Sequence, residues 1–277
     1  MSEFESKVVM IAGGARGIGR AIATSLAGAG AQIVLVDAPA PMQTLGYPLP
    51  DADALESAVA EIRAAGGTCT GYELDVRDRP RVAETVQRCI AEAGRIDMLV
   101  NCAGVGSVSD AGEMDDLTWS EVVDTNLNGF YNLVRAVTAH MTARGSGNIV
   151  AVVGDSARRG AAGLSHVSAA GWATIGLAKS LALETADAGV AVNVLSLGPV
   201  DTELSSSAEF RSAVADLRHV VHGQDAIEAM GRRHPNCEPW VPMEDVVRAA
   251  RFLLGGGTSM TGSVLDVSAG LSALNSS

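Results

Sequence analysis

Short unbroken apolar runs alternate along this chain with longer stretches in which apolar positions recur at helical spacing. Val8-Val9-Met10-Ile11-Ala12 and Gln32-Ile33-Val34-Leu35-Val36 are runs of the first kind. A parallel strand covered on both faces carries apolar residues at successive positions rather than at every second one. Comparable runs predict strands at Cys69–Leu74, Ile96–Val100, Asn148–Val153, Val190–Leu197 and Ser263–Val267. A helix is expected between the first two strands, and others over Asp51–Ala65, Arg79–Ala93, Leu117–Arg144 and Ser165–Ala186, the Leu117 helix being interrupted by Asn126, Asn128 and Gly129. Strands and helices alternate, and each crossover is long enough for a helix. The expected fold is therefore α/β: one doubly wound, parallel, seven-stranded sheet with helices on both faces and right-handed connections.

Two segments stand outside this alternation. Residues 38–50 contain Pro39, Pro41, Pro48 and Pro50 and no periodicity, which makes them a loop longer than most connections in such folds. The loop begins at the carboxyl end of the second strand, so it either covers a ligand there or is a solvated insertion. Residues 203–240, with Phe210, His219, His222, Pro235, Cys237 and Trp240, read as an irregular, mobile cover over a substrate site. No linker divides the chain, and residues 1–277 are expected to form a single domain.

Composition narrows the partners. A net charge of -12 and a pI near 4.8 argue against a nucleic-acid or anionic-membrane surface. No apolar run approaches the roughly 18 residues that span a bilayer, and Met1–Ser6 shows no basic segment leading into an apolar one, so a cytoplasmic protein is expected. Cys69, Cys89, Cys102 and Cys237 have neither CxxC spacing nor secretory context; they are read as reduced thiols, and no metal site is legible.

Candidate chemistry begins where the first strand runs into Gly13-Gly14-Ala15-Arg16-Gly17-Ile18-Gly19. Glycines at 13, 17 and 19 permit a tight turn and let a pyrophosphate approach the first N–H groups of the next helix. Asp37 closes the second strand, where a carboxylate accepts hydrogen bonds from an adenosine ribose and repels a 2′-phosphate. NAD is thus favoured over NADP. Arg16 dissents, since a cation in the turn could pair with that phosphate. Asp75-Val76 ends the third strand, where an adenine edge could be read. Asn101-Cys102-Ala103-Gly104 follows the fourth, again at the strand end where open parallel sheets bind ligands.

In these motifs, together with Asn126, Ser180-Leu181-Ala182-Leu183-Glu184, Asn193 and Gly198-Pro199-Val200-Asp201-Thr202, the chain resembles the short-chain dehydrogenase/reductase family over almost its whole length. The resemblance implies a Rossmann-type fold, with Gly198, Val200 and Thr202 at the nicotinamide carboxamide and Asn101, Ala103 and Gly104 on the ribose side. It also implies a tetramer assembled through the helices at 117–144 and 165–186. The insertion after Asp37 is similar to that of the actinobacterial carveol-dehydrogenase-like branch, whose members often hold NAD tightly. Leu197 stands where the family pattern has proline.

Members of this family carry a serine, a tyrosine thirteen residues later and a lysine four beyond it. Alignment through Arg158-Arg159-Gly160 and the Ser180–Glu184 run places Gly154, Val167 and Gly171 at those positions, and no one-residue shift recovers the triad. None of the three exchanges protons. A glycine within a helix costs on the order of 1 kcal/mol relative to alanine, so Gly171 reads either as a pocket widened for a bulky substrate or as drift in a site no longer in demand. Asp155 and His166 are the candidate replacement acids or bases, with Ser156 beside them. Against these stand an Asp155 paired with Arg158 or Arg159, a surface His166 at a helix start, and an Asn126 satisfied by backbone. Three functions remain open: an atypical NAD-dependent oxidoreductase acting on a bulky apolar alcohol or ketone, a non-redox cyclase, isomerase or dehydratase, and a silent subunit associating with an active relative.

Overall fold

The computed structural model describes residues 3–38, 42–207, 210, 211, 213 and 224–274. The seven apolar runs all form strands: β1 (Val8–Ala12), β2 (Gln32–Asp37), β3 (Thr68–Glu73), β4 (Met98–Asn101), β5 (Gly147–Gly154), β6 (Val190–Leu197) and β7 (Val264–Val267). They pair in parallel in the order β3-β2-β1-β4-β5-β6-β7. The order reverses beside β1, so the carboxyl ends of β1 and β4 open onto a crevice.

Successive side chains of each strand enter opposite cores. Val8, Met10 and Ala12 pack with residues of α3 (Arg79–Ala93), α5 (Gly129–Arg144) and α6 (Ser165–Thr185). Val9 and Ile11 pack on the other face with α1 (Gly17–Gly28), α2 (Ala52–Ala64) and the helix Met243–Gly255. This is the two-sided burial that uninterrupted apolar strands require. Asn193 joins β6 to the segment before β7, its amide donating to the Met260 carbonyl at 2.7 Å and its oxygen accepting from the Ser263 amide at 3.0 Å.

The expected helix over Leu117–Arg144 is three pieces: α4 (Asp116–Val123), a π-helical turn at Asp124–Asn128, and α5. A Cβ on Gly129 would lie 2.5 Å from Val76 Cγ2, so the chain passes too closely under the β3–α3 connection for any side chain there. Two further helices lie where none was expected. Within 203–240, read as irregular, are a 3₁₀ turn at Glu203–Ser206 and α7 (Gln224–Arg233); His219 and His222 fall outside the described residues. Met243–Gly255, here α8, buries Val246, Ala250, Leu253 and Leu254 against the sheet.

Candidate functional site

At the carboxyl edge of the sheet, the β1–α1 turn builds one end of a cleft. Gly13 and Gly17 have φ of +72° and +50°, a region that disfavours side chains. A Cβ on Gly13 would also lie 2.7 Å from the Ala103 amide, and one on Gly19 would strike the Gly13 carbonyl. The turn is therefore wrapped tightly enough for α1 to begin directly over it. No side chain caps the start of α1 and no acidic residue lies in its first turn, which leaves its leading N–H groups and positive dipole end open to an anion.

Asp37 accepts from the Ala15 and Ala38 amides, both at 2.9 Å. Burial raises its carboxyl above the ordinary range despite these bonds and the nearby Arg16. Arg16 is drawn away to the insertion, donating to the Pro48 carbonyl at 2.6 Å with its guanidinium 5.9 Å from the centre of the Tyr47 ring. Asp75 is gripped by Arg77, whose amide and guanidinium both donate to it; these contacts hold its carboxyl low against the opposing effect of burial. Gly13, Arg16, Gly17, Ile18, Gly19, Asp37, Asp75, Val76, Ala103, Gly104 and Thr202 all line this cleft. Asn101 does not. Its side chain is buried within the sheet, with Oδ1 enclosed and unpartnered, while Cys102 takes the lining position.

The cleft continues into a second, more apolar cavity. Ile18, Cys102, Ala103, Gly104, Val105, Thr202 and Leu204 line both, and Gly198 and Val200 line the second. Gly154, Val167 and Gly171 stand around it with Asp155, Ser156 and Arg159, and Phe210, Met230 and Trp240 come over it from the segment after β6.

The three candidate replacements for the family's proton donor fare differently. His166 is fully buried away from the cavity: its Nε2 lies 2.9 Å from Ser107 Oγ, its Nδ1 has no partner, and burial lowers its pKa. The structure thus sets His166 in the core, neither at the cavity nor on the surface of the helix start. Asp155 lines the cavity in an ion pair with Arg159, Nε to Oδ2 being 2.8 Å. Ser156 is buried at the cavity wall, and its hydroxyl bonds no described residue. Asn126 is clamped to Val105, donating to its carbonyl and accepting from its amide, both at 2.8 Å. The Asn126 carbonyl accepts from Thr174 Oγ1 at 3.3 Å.

Of the two readings of Gly171, a widened pocket is opposed by the packing at its Cβ position. A Cβ there would lie 2.6 Å from the Ala157 Cβ, because α6 rests directly on the 3₁₀ turn at Asp155–Ala157. Ala157 fills the space.

Sequence reasoning missed the means by which the insertion is fastened. The Glu121 carboxylate of α4 accepts from the Gln43 amide at 3.0 Å and from the Thr44 amide at 3.1 Å, and from the Thr44 hydroxyl. Tyr47 is buried, and its hydroxyl oxygen accepts from the Gly106 amide at 3.1 Å. Burial pushes its phenol up to about 12. Met42, Tyr47, Leu49 and Pro50 line the cleft beside Asp37, so the insertion covers it. The only sequence signal was an aromatic residue among the prolines. All four cysteines are free thiols, and the described residues contain no group able to hold a metal. Among them, no helix is long and apolar enough to cross a membrane.

Comparison with known proteins agrees with this fold. The short chain dehydrogenase family model matches residues 7–212. A (-)-trans-carveol dehydrogenase of Rhodococcus erythropolis is 34% identical, covering 98% of this chain and 99% of that one. The crystal structure of a carveol dehydrogenase from Mycobacterium avium, in complex with NAD, superposes with a TM-score of 0.91 at 28% identity, covering 99% and 100% of the two chains. An actinorhodin polyketide ketoreductase variant solved with NADPH superposes with a TM-score of 0.86 at 28% identity, covering 98% and 99%.

Proposed function

The chain belongs to the short-chain dehydrogenase/reductase family, and from that premise we propose that it is an NAD-binding oxidoreductase for a bulky, largely apolar alcohol or ketone, working without the family's Ser-Tyr-Lys set. The observation that carries this reading is the continuity of the two cavities: a cleft suited to a dinucleotide opens directly into one suited to an organic substrate.

The residues present fit the cofactor. The first cleft is lined by glycines at a turn too close-packed for a Cβ at Gly13 or Gly19, the uncapped start of α1 adjoins it, and the Asp37 carboxylate is part of its lining. Gly13, Gly17, Ile18 and Gly19 would hold the pyrophosphate, Asp37 the adenosine ribose, Asp75 and Val76 the adenine, and Gly198, Val200 and Thr202 the nicotinamide end. Asp37 favours NAD, because a 2′-phosphate would meet its charge and Arg16 is engaged elsewhere. When bound, the nicotinamide gives or takes the hydride.

The chain's own part is to orient the substrate and exclude water. Leu164, Val167, Phe210 and Trp240 supply apolar walls, and Ser156 offers a hydroxyl to the substrate oxygen. With valine and glycine at the tyrosine and lysine positions, the proton is exchanged with water. The absence of a general acid slows such a step by about 10²- to 10⁴-fold, while orientation of the reactants retains much of the acceleration. Trp119, Tyr131, Trp172 and Leu183 are exposed on α4, α5 and α6, which supports self-association through those faces as a homotetramer.

The deciding experiment is mass spectrometry of cofactor released from the purified protein, with calorimetric titration of NAD and NADP. Retention of NAD or preferential binding of it is expected, followed by substrate-dependent absorbance change of the reduced nicotinamide. No binding of either dinucleotide at millimolar concentration would overturn the proposal and leave a repurposed pocket or a silent subunit.

A further inference from the structure

We infer that Arg159 makes the substrate cavity a carboxylate-recognising site, so that the preferred ligand is an apolar body bearing a carboxylate rather than a neutral alcohol or ketone alone. The inference rests on the proposed function for the identity of the cavity as the substrate site.

Arg159 follows the 3₁₀ turn at Asp155–Ala157, and its side chain reaches the cavity wall with only 17% of its surface exposed. Asp155, 14% exposed, engages a single guanidinium nitrogen, Nε. Among the described residues, the two terminal amino groups of Arg159 have no hydrogen-bond partner. A guanidinium is always charged, and its donors form a planar fork that matches the two oxygens of a carboxylate. Taking such a group out of water is costly unless its donors are met, and Asp155 meets only one of them. Arg159 lines the cavity together with the apolar side chains of Val153, Leu164, Val167, Leu197 and Trp240.

Charge balance favours an anion over a neutral acceptor. Among the described residues lining this cavity, the guanidiniums of Arg159 and Arg211 face one carboxylate, Asp155. Arg211 is held in place, its Nε donating to the Ser205 carbonyl at 2.7 Å and its guanidinium 5.8 Å from the centre of the Trp240 ring. The described lining is thus locally cationic in a chain whose net charge is -12. By contrast, Arg158, the next residue back, does not line the cavity; it lies 3.8 Å from Asp266.

The test uses two terpenoids of one skeleton, perillate and perillyl alcohol, titrated calorimetrically into the full chain with and without saturating NAD. Perillate should bind roughly ten- to hundredfold more tightly, the range expected for hydrogen bonds to a charged group. Arg159→Gln should abolish that preference, Arg159→Lys should keep part of it, and Arg158→Gln should leave it intact. Circular-dichroism melts check that each variant folds. Equal affinity for the two probes, failure of both to bind at millimolar concentration, or a preference that survives in a folded Arg159→Gln would overturn the inference. Because heat of binding is read rather than turnover, a protein that binds perillate but not NAD would fail the redox proposal alone.

Discussion

Gly171 of α6 and Ala157 of the turn after β5 are packed so closely that a Cβ on Gly171 would stand 2.6 Å from the Ala157 Cβ. The position that the sequence resemblance sets at the family's lysine is therefore closed by a neighbour, whereas the one it sets at the serine is open: a Cβ on Gly154 meets nothing nearer than Ser156 Oγ at 3.6 Å.

The contact can be weighed against a control in the same helix. Gly176 has nothing within 4 Å of its Cβ position, so Gly176→Ala gains helix propensity with no clash, about 1 kcal/mol, and should raise Tm by roughly 2–4 °C. Gly171→Ala gains the same propensity but overpacks against Ala157 at about 1–3 kcal/mol. The difference between the two variants isolates the contact. Gly171→Ala should melt below Gly176→Ala, and Ala157→Gly added to it should recover most of the gap. Equal melting temperatures would show that the turn yields freely.

Removing the Tyr47 hydroxyl should loosen the cover over the cofactor cleft. Tyr47→Phe leaves the Gly106 amide without its acceptor, at a cost of about 1–3 kcal/mol for a buried donor. If NAD sits beneath the insertion, its release should quicken by roughly 5- to 100-fold, read by stopped-flow displacement of NADH fluorescence. An unchanged release rate would mean that the insertion does not gate the cleft. With the phenol near 12, this tie should be insensitive to pH between 6 and 9.

What was legible in the chain was what depends on local chemistry. Val8–Ala12 needs no partner to declare a buried parallel strand, and Gly13, Gly17 and Gly19, placed between a strand and a helix, declare the tight turn that joins them. The α8 helix was equally readable from Val246, Ala250, Leu253 and Leu254, yet no element was assigned between residue 240 and the seventh strand. The site's second half depended on facts no spacing carries. Whether His166 looks into the cavity or the core turns on the rotation of α6, and whether Gly171 is open turns on how far that helix leans on Ala157. The role of Tyr47 required knowing that a proline-rich loop folds back across the cleft to Gly106, 59 positions along the chain.

Acid should release the insertion through Glu121. Burial opposes its charge, but the hydrogen bonds from Thr44 and Gln43 outweigh burial and hold the carboxyl below its ordinary 4.5. A group with a depressed folded-state value stabilises above the unfolded value and loses that stabilisation as pH falls through the folded one. The anchor should therefore be constant from pH 6 to 8 and fail below about 4.5. Limited proteolysis within 42–50 should appear at pH 4 in the wild type and already at pH 7 in Glu121→Ala. Equal protection of that variant at pH 7 would sink the assignment.

His166 gives a linkage of the opposite chemical type but the same direction. Burial lowers its pKa below the ordinary 6.5, so the unfolded chain binds a proton that the folded one refuses. Stability attributable to it is intact above 6.5 and falls as pH drops from there toward the folded value. His140 is lowered as well, chiefly by burial, and contributes in the same window. Tm should thus decline between pH 7 and 5.5, and His166→Gln should flatten part of that decline. Because the imidazole does not line the cavity, the same variant should leave the pH profile of turnover unmoved. A shifted profile in His166→Gln, with Tm unchanged, would return His166 to the reaction and refute its placement as a core residue.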